Sequence, residues 1–137
     1  MSGPRISASM RATVRARANS CCEYCGIPEF GTLFGHEPDH IIAKQHGGET
    51  TLENLALACM QCNRCKGPNI ASVDREKKRI VPLFNPRTDR WSEHFRAEGG
   101  RITPLTAVGR ATAALLECNR PEREEARQNL RLSGRWV

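Results

Sequence analysis

Aromatic side chains are scarce in this chain of 137 residues, which holds four Phe, two Trp and one Tyr. Only 39% of its residues are hydrophobic. A core built by packing alone is thin at that composition, and such a chain needs a staple, for which a structural metal is the usual choice inside cells. Nowhere does an apolar run approach the roughly 18 residues that a membrane span requires. The N-terminal arginines Arg5, Arg11, Arg15 and Arg17 are followed by no apolar stretch, so no secretory leader is expected and a cytoplasmic home is. In that compartment seven cysteines bind metal rather than pair as disulfides, and an odd count leaves at least one thiol over. Internal repeats and low-complexity segments are also missing.

What the chain does have is segregated charge. Its net charge of +6 is distributed as +4 over residues 1–20, −5 over 21–63, +5 over 64–90 and +2 over 91–137. An acidic, cysteine-rich centre between basic arms suits a metal site held against a polyanion, with the flanks neutralising phosphates. The run Arg75, Lys77, Lys78 and Arg79 is the densest basic cluster and a candidate nucleic-acid contact. In the C-terminal part the signs alternate, as on a solvated surface.

The pattern predicts an α+β fold. Ser7 or Ser9 caps a helix over about residues 8–19, with Met10, Val14 and Ala18 on one face. Residues 30–34 read as a loop or short strand. Residues 38–43 read as a strand with Ile41 and Ile42 buried, followed by a turn at Gly47-Gly48. Leu52, Leu55 and Leu57 face the core, residues 58–64 form a turn leading into a helix, and residues 69–79 read as a basic helix. Prolines hold residues 80–86 extended. Asp89 is placed to cap a turn carrying Trp91 and Phe95, and Glu98-Gly99-Gly100 signals a hairpin. Thr106 caps one C-terminal helix and Asn119 with Pro121 opens another. The expected organisation is a domain over 1–79, with its motif core at 20–70, and an extension over 80–137 that packs on the core or contacts DNA.

Two Cys-x-x-Cys pairs stand out, Cys22/Cys25 and Cys59/Cys62. Zinc takes four thiolates in a tetrahedron, commonly from two such knuckles that each clasp the ion from one side. By spacing alone the register is open, because Cys21 and Cys65 are also at hand and Cys62/Cys65 is a second legal pair. Cys118, on a face with Ala114 and Leu115, reads as a buried thiol. A four-thiolate zinc has no open coordination position, so any hydrolysis needs other residues. Between the knuckles the chain supplies Asp39, His40, Asn54 and Asn63. On a strand Asp39 and His40 point to opposite faces, and they must serve one cleft from two sides or sit on bent backbone.

Asp39-His40-Ile41-Ile42, Gly47-Gly48, Glu53-Asn54-Leu55 and Cys59-x-x-Cys62-Asn63-x-x-Lys66-Gly67 together resemble the zinc-bound HNH endonucleases, of the ββα-metal or His-Me finger superfamily. The resemblance covers roughly residues 20–70. It implies a small zinc-stapled ββα-metal core with an N-terminal helix and a C-terminal hairpin-plus-helices extension. It fixes the zinc register at Cys22, Cys25, Cys59 and Cys62, because the Asn directly follows the fourth ligand. It implies that His40 is the general base and that Asp39 is a ligand of a catalytic divalent metal. Asn54 would hold the loop and orient the His40 ring. Asn63 stands where the family's third letter is usually His, and an Asp-plus-Asn oxygen site favours Mg²⁺ or Mn²⁺ over Zn²⁺. Arg64, Lys66 and Lys44 are candidates for neighbouring phosphates. The resemblance thus implies a metal-dependent endonuclease acting on DNA, as a monomer or homodimer. A zinc-dependent nucleic-acid-binding module that does not cut is the rival, and a thiol redox protein is a third reading.

Overall fold

The computed structural model describes residues 5–136. Helix α1 (Ala8–Arg17) starts where the Ser7 hydroxyl accepts from the Met10 N–H at 3.1 Å. Its Val14 is fully buried and packs with Met10 and Ala18 against Leu55 and Leu57, the face that the spacing predicted. The chain then reaches the first knuckle, a single 3₁₀ turn at Glu29–Gly31, and strand β1 (Glu37–His40). Strand β2 (Leu55–Ala58) pairs antiparallel with β1 in the register Asp39↔Ala56 and His40↔Leu55, and every residue of β2 is buried. Helix α2 (Met60–Lys66) follows at once. Two strands and a helix, bracketed by cysteines, are therefore the organising unit.

The remainder wraps this unit. β3 (Ala71–Asp74) and β4 (Arg79–Pro82) form a two-stranded ribbon. After α3 (Trp91–His94), β5 (Phe95–Glu98) and β6 (Arg101–Pro104) form the hairpin that Gly99-Gly100 signalled. Helix α4 (Ala107–Leu115) is capped by Thr106, whose hydroxyl accepts from the Gly109 N–H, and α5 (Pro121–Leu132) closes the chain. The larger core joins the two halves: Phe84, Phe95, Ile102, Leu116 and Trp136 pack with Tyr24, Ile27 and the cysteines. Trp91 donates to the Tyr24 carbonyl at 2.8 Å and Trp136 to the Cys25 carbonyl at 3.1 Å, so both tryptophans of this aromatic-poor chain are spent on the first knuckle.

Three local expectations are corrected. Residues 69–79 are not a helix. Val73, Ile80 and Val81 are β-branched and favour strand, and Lys78 adopts a left-handed φ of 57° that turns the chain back. The boundary expected after residue 79 consequently falls inside this ribbon. Ile42 is 43% exposed rather than buried, because β1 ends at His40 and the following backbone no longer alternates. Asp89 accepts from the Asn85 N–H instead of capping α3, whose N-cap position is Arg90. Residues 30–34, read as a loop or short strand, are loop, opened by the 3₁₀ turn at Glu29–Gly31.

Candidate functional site

The four knuckle cysteines converge. The Sγ atoms of Cys22, Cys25, Cys59 and Cys62 all lie within 4.8 Å of one another, and all four residues are buried. Each knuckle folds back on its first sulfur: the Cys25 N–H points at Cys22 Sγ (3.5 Å) and the Cys62 N–H at Cys59 Sγ (3.4 Å). Gly26 is required after the first knuckle, with φ at 80° and the Trp136 indole nitrogen 3.1 Å from where a Cβ would sit. The second knuckle uses Cys59 itself as the N-cap of α2. Cys25 and Cys59 sulfurs are 3.8 Å apart. Zinc–sulfur bonds of about 2.3 Å in a tetrahedron demand an edge of about 3.8 Å, so the donor set fits zinc. Cys21 turns to the Asn19 carbonyl and Cys65 to Glu117, which settles the register that spacing left open. Cys118 is buried beside the cluster as a thiol, as expected.

The cluster's electrostatics come from far along the chain. Arg123, buried in α5, points Nη2 at Cys62 Sγ (3.1 Å) and Cys59 Sγ (3.7 Å), while Nη1 donates to the Leu116 and Glu117 carbonyls. Burial works against the Arg123 charge, but the sulfurs of Cys62 and Cys25 outweigh it and hold the guanidinium firmly protonated. The thiols titrate together. Hydrogen bonds from neighbouring sulfurs push Cys25 and Cys59 down, while Cys62 is pushed up by its contact with Cys118 and Cys22 by burial. Four thiolates around a dication carry a net charge of −2, and Arg123 with the buried Arg127 brings the neighbourhood to neutrality. Sequence reasoning missed Arg123. The one available signal was a basic residue flanked by acids on a helix with an apolar stripe, too weak to link position 123 to position 62.

A second constellation lies at the end of β1. Asp39 is 7% exposed, and its Oδ2 accepts from the Tyr24 hydroxyl at 2.9 Å and from the Lys66 ammonium at 3.1 Å. Burial raises the Asp39 carboxyl, and Lys66 and Tyr24 pull it back. His40, on the opposite side of the strand, is half-buried, with Nε2 2.9 Å from the Thr50 hydroxyl oxygen. Its imidazole is lowered from the usual 6.5, first by burial and then by the charge of Lys44, with Asp39 opposing. Asn54 does not touch the ring. Its Oδ1 accepts from the Ile42 N–H, and its Nδ2 donates to the carbonyls of Ile42 and Glu49. It therefore staples the 42–54 loop shut through backbone, and that loop presents Thr50 to His40. Gly48 is needed inside this staple, since a Cβ there would lie 1.7 Å from the Ile42 carbonyl oxygen. The direct contact to the ring expected of Asn54 comes from Thr50.

Lys66 also departs from expectation. It is 1% exposed, and its ammonium lies 3.2 Å from the carbonyl oxygens of both His40 and Ile41 as well as 3.1 Å from Asp39. The oxygens of Asp39, His40 and Ile41 that gather at the end of β1 receive their cation from Lys66, the last residue of α2. It cannot reach outward to phosphate. The contact instead docks α2, the helix that carries Asn63, against β1. Arg64 and Lys44 are exposed. The structure thus gathers Asp39, His40, Asn54 and Lys66 around one strand end, against which α2, the helix carrying Asn63, packs.

A cavity of about 240 Å³ lies elsewhere, between Phe34, Met60, Ala126 and Arg127 with Cys25 and Cys59 in its wall. None of Asp39, His40 and Asn63 lines it, so it is not where the chemistry of the strand end takes place. Among the described residues no helix is long and apolar enough to cross a membrane. No curated protein and no solved structure matches the chain. Residues 22–69 match the family model described as HNH endonuclease, a span that opens on the first zinc-knuckle cysteine and ends just past Lys66 and the C-terminus of α2. That match places the domain's role among nucleases and nucleic-acid-binding modules. The likeness to the HNH endonuclease family is thus carried by the segment from Cys22 to Asn69.

Proposed function

We propose that this protein is a metal-dependent endonuclease that hydrolyses DNA phosphodiester bonds, with His40 as general base. The observation that carries the reading is the docking of α2 onto the end of β1. Through Lys66 it brings a buried carboxylate and a half-exposed imidazole to one strand end, beside the helix that bears Asn63. In the tautomer that donates Nε2–H to the Thr50 hydroxyl, 2.9 Å away, the lone pair of His40 resides on Nδ1, which takes a proton from an attacking water. The lowered imidazole value keeps the base in its neutral, working form at neutral pH. Tyr24 and Lys66 both engage Oδ2 of Asp39, which orients the carboxylate and favours its ionised form. A carboxylate oxygen on Asp39 and an amide oxygen on Asn63 are hard donors that fit Mg²⁺ or Mn²⁺. A cation held by them would supply charge stabilisation at the phosphate and the leaving oxygen. The zinc at the four cysteines would serve folding alone, since all four of its positions are taken by thiolates. Exposed Arg64 and Lys44 flank the edge and suit phosphate binding.

The test is cleavage of supercoiled plasmid with Mg²⁺, with Mn²⁺ and with neither, beside His40→Ala. The expected result is metal-dependent nicking or linearisation, reduced by about 10²- to 10⁴-fold in the variant. Equal cleavage by His40→Ala would remove the base. DNA binding with no cleavage in any metal would leave the non-cutting module instead.

A further inference from the structure

The ribbon formed by β3 and β4 is separate from the other two sheets and carries an unusual distribution of charge. Its turn holds Arg75, Glu76, Lys77 and Lys78, with Arg79 opening the return strand. Both acidic residues of this segment are engaged by one side chain. Arg110 of α4 binds Asp74 through two parallel hydrogen bonds of 2.9 Å and reaches Glu76 at 3.3 Å. Arg75, Lys77, Lys78 and Arg79 are all exposed and form no ion pair among the described residues. The tip is therefore a cluster of four cations whose local acids have been neutralised from behind.

Register decides what lies beside that tip. Opposed residues of an antiparallel pair share a face, so Asp74 with Arg79 and Ser72 with Val81 form one side, the side on which Asp74 meets α4. The other side carries Ala71 opposite Pro82 and Val73 opposite Ile80, with Val73 47% and Ile80 75% exposed. A short, twisted, two-stranded ribbon with a small apolar outer face and a cationic tip matches a known docking geometry. The B-form major groove, about 12 Å wide, admits such a ribbon, and thymine methyls offer apolar contact within it. The deep, narrow major groove of an RNA duplex does not admit one. Position agrees as well: Ala71 follows Lys66 by five residues, so at most about 17 Å of chain separates the ribbon's base from the lysine that grips the His40 carbonyl.

We infer that the β3–β4 ribbon is the duplex-DNA docking element of this protein, with Arg75, Lys77, Lys78 and Arg79 on phosphates and Val73 and Ile80 against the groove. This rests on the nucleic-acid reading above, and binding and cutting are separable in its test. Binding is measured by fluorescence anisotropy on a 20-base-pair DNA duplex across a salt series, in a His40→Ala background that does not cut. It is compared with the same protein carrying Arg75→Ala, Lys77→Ala, Lys78→Ala and Arg79→Ala. Circular dichroism and zinc content, unchanged by these surface substitutions, confirm that both proteins are folded. The expected result is an affinity loss of at least roughly ten-fold at moderate salt and a log–log salt slope smaller by about 3.6, because each of the four lost phosphate contacts removes about 0.9. An Ile80→Ser variant is expected to weaken binding with the salt slope unchanged, as an apolar groove contact would. Unchanged affinity and slope in the four-site variant overturn the inference even if the parent cleaves plasmid. Equal binding of an RNA duplex, lost equally in the variant, overturns the groove assignment. A parent that binds through the ribbon but never cuts supports the ribbon and ends the endonuclease reading.

Discussion

The two ends of the β1–β2–α2 unit are built from the same few residues of chain and have opposite character. At one end four sulfurs are buried, saturated and surrounded by protein from both halves of the sequence. At the other, a half-exposed imidazole and a strand edge meet solvent. The closed end draws its counter-charge from Arg123, about sixty residues beyond the knuckle it contacts. The open end draws its cation from Lys66, on the helix that the knuckle itself starts. The difference teaches which end tolerates change. A saturated, desolvated cluster contributes stability and loses it all when one ligand goes, whereas an edge held by backbone contacts loses chemistry while keeping its fold.

The largest expected effect is at the closed end. Cys59→Ser should abolish zinc binding and unfold the domain, since a structural zinc site contributes on the order of 10 kcal/mol. Metal content and circular dichroism check this, and a folded, soluble, zinc-free variant would show that packing alone suffices. A sharper probe is Arg123→Met, which keeps the apolar stem and removes the charge facing Cys62 and Cys59. Zinc transfer to a competing chelator should become easier by roughly 10- to 100-fold, the range seen when outer-shell partners are lost. Unaltered zinc exchange would mean that the guanidinium serves only the Leu116 and Glu117 carbonyls.

At the open end the prediction concerns proton chemistry. Because His40 is lowered from 6.5 by burial and by Lys44, more than half of it is neutral at pH 6.5. The kcat/KM for cleavage should have its acid midpoint below that pH and fall about tenfold per unit beneath the midpoint. A midpoint at or above 6.5 would contradict the environment described for the ring. The smallest effect belongs to neither end. Arg110 holds Asp74 down at about 2, below its ordinary 3.8, so the pair stabilises the ribbon above 3.8 and that contribution is lost as pH falls toward 2. Asp74→Asn should therefore lower the thermal midpoint at pH 7 and converge with the parent in acid. A constant difference between the two at every pH would assign the effect to packing.

Much of this protein was legible from its residues. Two Cys-x-x-Cys pairs, an Asp-His dipeptide and two asparagines at fixed separations announce the core, because metal and hydrogen-bond chemistry act through few atoms at set spacings. Capping at Ser7 and Thr106 and the Gly99-Gly100 turn are equally local, so they too are written in sequence. Other features arose only when distant segments met. The basic stretch 69–79 has helix-compatible composition, and it became a ribbon because β-branched residues found cross-strand partners and Asp74 found Arg110, 36 positions away. Lys66 looked like a solvent-facing cation until three inward oxygens at the end of β1 claimed it. Arg123 acquired its place only when α5 was laid over the sulfurs. Sequence determined which ligands and bases this chain possesses, since residue identity is enough for that. Tertiary structure decided which charges turn inward to balance others and which face outward, since a charge is assigned by what surrounds it, and its surroundings are assembled from the whole chain.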